Sequence, residues 1–170
     1  AGVLSACQSP PSPTPAAPAM AADFDVLITG GRIVDGSGAP WYRGDVGITG
    51  DRITAMGQLA GRKAKSTIDA TNLVVSPGFI DMHVHLTDEY SAKSDIEGFR
   101  LNASDYAYRS VVFAERTLMA GFTTVRDLGG GDNVNISLRN AINAGTVKGP
   151  RVYTAGKSLA TTGGHADPTN

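Results

Sequence analysis

Pro77-Gly78-Phe79-Ile80-Asp81-Met82-His83-Val84-His85 is the stretch around which this chain is organised. After the Pro-Gly turn, Asp81, His83 and His85 alternate with Ile80, Met82 and Val84, the period-2 pattern of a strand. Side chains two apart on a strand leave the same face, with Cα atoms ~6.6 Å apart. The imidazoles of His83 and His85 can then converge on one divalent cation at ~2.0–2.1 Å. Asp81 has the same parity and is expected beneath them as an outer acceptor that fixes ring orientation. The plain alternative is a pair of histidines in a core strand, and a lone histidine would favour it. Two at this spacing, ending a strand that follows a turn, favour the metal. Where strands form a barrel, active sites gather at their carboxyl ends.

Downstream, the period lengthens. Ala103, Ala107, Val111, Ala114 and Leu118 recur at helical spacing, and Gly121 stands where a helix is capped. Phe122-Thr123-Thr124-Val125 reads as a strand, and Leu138, Ala141 and Ile142 as a shorter helical face ended by Gly145. Arg151-Val152-Tyr153-Thr154-Ala155 reads as another strand, which makes three strands and two helices in parallel βαβ units. Asp127 closes its strand and either faces a pocket or pairs with Arg126 or another arginine. Asp132, after Gly129-Gly130-Gly131, carries less.

Upstream, residues 23–76 have the pattern of a small β domain. Val26-Leu27-Ile28-Thr29 and Arg32-Ile33-Val34 flank Gly30-Gly31, a pair suited to the positive φ angles of a hairpin turn. Asp45–Thr49 and Arg52–Ala55 flank Gly50-Asp51 in the same way, and Thr67–Asp69 and Leu73–Val75 add short strands. Asp35-Gly36-Ser37-Gly38 lacks the strand–loop–helix setting of a phosphate loop and reads as surface.

Residues 1–22 read as a linker outside the fold. Pro10, Pro11, Pro13, Pro15 and Pro18 lie among Ser, Thr and Ala, too little apolar surface to order the segment. Ahead of them, Leu4-Ser5-Ala6-Cys7 resembles the bacterial lipobox, in which the cysteine is lipidated after cleavage. Acyl chains on Cys7 would anchor the protein at the cell envelope, each buried methylene contributing ~0.8 kcal/mol. A chain opening at Ala1, upstream of that cysteine, is expected to be neither a translation start nor a processed end.

Composition narrows the classes further. With 41% hydrophobic and 18% charged residues the 170-residue chain can bury a core. Fifteen basic against sixteen acidic residues, with no basic stripe, argue against a nucleic-acid partner. A single cysteine excludes an internal disulfide and a cysteine-cluster zinc site. No apolar run approaches the ~20 residues that span a bilayer. Oligomeric state is not legible.

The motifs together resemble a known family. Pro77 to His85 closely resembles the first barrel strand of the amidohydrolase superfamily, with its His-X-His metal motif. Asp25 to Gly36 looks like the opening of the β-sandwich domain before that barrel, and Gly121 to Asp127 like the second barrel strand. Thr161-Thr162-Gly163-Gly164-His165-Ala166-Asp167 is similar to the segment after the third strand in the imidazolonepropionase-like and Xaa-Pro dipeptidase-like branch. The resemblance implies an α/β fold: the amino-terminal part of a (β/α)8 TIM-type barrel over residues 77–170, after the first part of a small β-sandwich over 23–76.

It further implies that His83 and His85 bind the more buried of one or two divalent metals, commonly zinc. A fourth-strand lysine, fifth- and sixth-strand histidines and an eighth-strand aspartate complete the family's set, and none of these positions falls in this chain. His165, behind two glycines that allow close backbone approach, would touch substrate. The implied activity is hydrolysis of an amide C–N bond in a small amide or dipeptide through metal-activated water. The alternative is a catalytically silent barrel lipoprotein that binds or scaffolds. The 170-residue piece alone is expected to be inactive and to bind metal weakly.

Overall fold

The computed structural model describes residues 22–164 and 167, which form two compact units that divide between Ser76 and Pro77. In the first, β1 (Phe24–Ile33), β2 (Tyr42–Thr49), β3 (Arg52–Gly57), β4 (Ala64–Asp69) and β5 (Val74–Val75) make one sheet. Its order is β3-β2-β1-β4, and β5 also pairs with β1. The β2–β3 hairpin turns at Gly50-Asp51 as expected, with Gly50 at φ 60° and its N–H donated to Asp25 Oδ2. Phe24, Leu27, Ile33, Val46 and Ala70 are the buried apolar residues of this unit.

Gly30-Gly31 is not a hairpin turn. β1 runs straight through it as a ten-residue strand. Ile28 faces Val46 while Gly31 faces Gly44, so β1 carries one residue more than β2 across this interval, a bulge. Gly30 takes the positive φ that the sequence suggested, 72°, and donates its N–H to Asp45 Oδ1 at 2.8 Å. A methyl group on Gly31 would meet Val75 Cγ2 at 2.6 Å. The bulge and the bare glycine let β1 pair with β4 along its first half and with β5 beyond. The turn back to β2 comes later, where Asp35 Oδ1 accepts the Ser37 N–H at 2.9 Å on the exposed surface.

In the second unit, β6 (Phe79–Val84), β7 (Phe122–Asp127) and β8 (Arg151–Thr154) form a parallel sheet in that order. Between them come α1 (Ser94–Arg100), α2 (Ala103–Met119), a short 3-10 turn (Gly131–Asn133) and α3 (Val134–Asn143). The fold of this unit is thus α/β. Asn102 starts α2 with a capping box, its Oδ1 accepting from Ser104 and Asp105 while Asp105 accepts the Asn102 N–H. Gly121, at φ 97°, stops it. The apolar faces of α2 and α3 meet the sheet through Leu86, Ala114, Val125, Leu138 and Val152.

The sequence pattern does not mark α1. It lacks a side-chain N-cap and contains Gly98. Its hold is tertiary: Arg109 on α2 grips Glu97 with two hydrogen bonds, 2.7 and 3.0 Å. Among the described residues no helix is long and apolar enough to cross a membrane.

Candidate metal centre

β6 breaks its register just where the histidines begin. Asp81 faces Val125 and Val84 faces Asp127, three steps on β6 against two on β7. Simple alternation therefore does not carry from Asp81 to the histidines. Asp81 Oδ1 accepts the backbone N–H of His83 at 2.9 Å, tying down the irregular backbone. His83 lies in this last part of β6 and His85 one residue past its end; both are exposed. Their rings stand edge to face, with centroids 5.4 Å apart and planes at 68°.

That separation can be tested against a cation. With a metal–nitrogen bond of about 2.05 Å, and each centroid about 1.1 Å behind its nitrogen, a tetrahedral ion holds the centroids roughly 5.2 Å apart. The observed 5.4 Å is close to that value and also lies within the 4.5–7 Å range of an ordinary edge-to-face ring contact. His85 Nδ1 lies 2.9 Å from the Gly129 carbonyl oxygen. A carbonyl can only accept, so Nδ1 carries the proton and Nε2 keeps the lone pair that a metal needs. This is the usual second contact of a ligating histidine. Among the described residues no group of three or more His, Cys, Asp or Glu is placed to hold a metal, so an ion bound by this pair would need further ligands.

The residues behind His85 were not legible as a unit. Asp127 is fully buried rather than open to a pocket, and among the described residues it bonds N–H groups of Leu86, Gly129 and Asn135 rather than an arginine. Its Oδ2 accepts the Leu86 N–H, and its Oδ1 accepts the Gly129 N–H and the Asn135 amide, each at 3.0 Å. Arg126 donates instead to the Met82 carbonyl at 2.8 Å. Asn135, at the start of α3 and equally buried, also donates to the Gly156 carbonyl at 2.9 Å. Gly129 sits at φ 141°, and a methyl group there would lie 2.1 Å from Ser158 Oγ. The Asp-x-Gly spacing of 127–129 was the available signal for this turn; nothing local pointed to Asn135. Cys7 and His165 lie outside the described residues.

This chain, with its parallel α/β sheet and a histidine pair at the end of the first strand of that sheet, is similar to known proteins. Residues 74–170 match the amidohydrolase family. The structure resembles that of a Xaa-Pro dipeptidase with bound methionine in its active site: TM-score 0.77, 39% identity, 85% of this chain and 36% of that one. D-aminoacylase from Alcaligenes xylosoxydans xylosoxydans is 50% identical over 62 residues, 36% of this chain and 13% of that protein. Ochratoxinase from Aspergillus niger is 29% identical over 146 residues, 83% of this chain and 30% of that protein. The chain belongs to the amidohydrolase family. It spans about a third or less of the length of these relatives.

Proposed function

We propose that the full protein carrying this chain hydrolyses a small amide C–N bond with a divalent metal, zinc by preference, held in part by His83 and His85. The observation that carries this reading is the ring pair, spaced for one ion and with the His85 lone pair set on Nε2. In this reading β6, β7 and β8 are the first three strands of a (β/α)8 barrel, and the β1–β5 sheet is the first part of a β-sandwich. When bound, the cation supplies Lewis-acid polarisation of the substrate carbonyl and lowers the pKa of water toward neutrality. His83 and His85 bind it, the Gly129 carbonyl orients His85, and Asp81 steadies the backbone between them. His165 contacts the substrate. Relatives named as a Xaa-Pro dipeptidase and a D-aminoacylase support a dipeptide or an N-acyl amino acid as that substrate. Lipidation of Cys7 anchors the protein to the bacterial cell envelope. The 170-residue chain by itself is inactive in this proposal, because the pair is only part of a ligand set.

The test is elemental analysis of the full-length protein, with hydrolysis assays on N-acyl amino acids and Xaa-Pro dipeptides. One or two divalent ions per chain are expected, with metal and turnover lost together in His83→Ala and His85→Ala. Unchanged metal content and turnover in both variants would overturn the reading. Bound metal without turnover on any substrate would favour the binding or scaffold alternative.

A further inference from the structure

One buried carboxylate holds Gly129 and the residue next to His85, the backbone on either side of the hydrogen bond that orients the His85 ring. Asp127 Oδ2 takes the N–H of Leu86, the residue after His85. Asp127 Oδ1 takes the N–H of Gly129, whose own carbonyl accepts from the His85 ring. The Asn135 amide, held in turn by the Gly156 carbonyl, fixes the orientation of that carboxylate. We infer that Asp127 and Asn135 are positioning residues that set the His85 tautomer, and through it the affinity of the site for a divalent cation.

The physical argument is the difference between donors and acceptors. All three groups facing Asp127 are N–H donors, and a carboxylate offers only acceptors. Asp127→Asn keeps the shape but turns one oxygen into a donor, so one of its two arms opposes another N–H. Either Leu86 or Gly129 is released, and with it one side of the His85–Gly129 hydrogen bond. An imidazole without that acceptor exchanges between its two neutral tautomers, and the lone pair leaves Nε2 for part of the time. Loss of such outer partners weakens metal affinity by roughly 10–100-fold.

The affinity half of this inference rests on the metal reading above; the tautomer half does not. The full-length protein is compared with Asp127→Asn, Asn135→Ala and a control, Ser110→Ala. Ser110 is equally enclosed in this unit, and among the described residues its side chain bonds only the Ala107 carbonyl of its own helix. The readouts are the ¹⁵N shifts of the His85 ring in metal-free protein and the cobalt(II) affinity from visible absorption. The wild type and Ser110→Ala are expected to show one Nδ1–H tautomer. Asp127→Asn is expected to show averaged ring shifts and roughly 10–100-fold weaker cobalt binding, with a smaller change in Asn135→Ala. Folded Asp127→Asn and Asn135→Ala proteins that keep the wild-type ring shifts would overturn the inference. If Asp127→Asn does not fold, Asn135→Ala decides alone. A wild type with a fixed tautomer that binds no cobalt would sink the metal reading and leave the positioning role standing.

Discussion

Gly129→Ala is a one-carbon change with consequences that follow from the backbone. Gly129 sits at φ 141°, where an L side chain is strained, a cost of about 1–3 kcal/mol. The new methyl carbon would lie 2.1 Å from Ser158 Oγ and 2.9 Å from the Ser158 backbone nitrogen. The hydroxyl can rotate, but it then gives up its 2.9 Å bond to the Leu128 carbonyl, and the nitrogen cannot move alone. Overpacking of this kind costs about 1–3 kcal/mol. Together these put the loss at about 2–6 kcal/mol, a large part of the 5–15 kcal/mol typical of a domain. The assay is urea denaturation of the full-length protein followed by circular dichroism, with cobalt affinity read on the folded variant. Adding Ser158→Gly removes the hydroxyl contact but leaves φ and the backbone nitrogen, so only about 1–2 kcal/mol should return. A single variant within 0.5 kcal/mol of wild type, about the effect of an unremarkable surface change, would refute the reasoning.

Two further predictions concern the helices of the second unit. Asn102→Ala removes the cap that serves the Ser104 and Asp105 N–H groups. It should cost about 0.5–2 kcal/mol, with faster amide hydrogen exchange confined to the first turn of α2. Glu97 is held below the ordinary carboxylate range, first by its hydrogen bonds from Arg109. Because the folded value is the lower one, this contribution is complete above the unfolded glutamate value of ~4.3 and is lost as pH falls through the folded value. Amide protection in α1 should therefore fall on acidification below that range, and Glu97→Gln should abolish the dependence. Equal protection of α1 at pH 6 and pH 3 would contradict the tether.

What could be read without a structure was whatever local chemistry dictates. The β6 strand, the turn at Gly50-Asp51 and the span of α2 up to Gly121 follow from periodicity and turn residues only a few positions apart. The alternation expected to carry the two histidines does not, because β6 breaks register between Asp81 and Val84. The same kind of reading failed at Gly30-Gly31. A positive φ serves a bulge as well as a hairpin, and only the register against β2 separates them. It missed α1, whose hold is a side chain twelve residues away on another helix. It also misjudged Asp127, because a carboxylate at a strand end looks the same whether it meets solvent, an arginine or buried N–H groups. The partners that settle its role, Leu86 and Asn135, stand 41 and 8 residues away. The pattern of residues thus determined that two imidazoles would share a strand end. Tertiary structure alone decided which ring nitrogen keeps its proton, since that depends on a carbonyl 44 residues further along the chain.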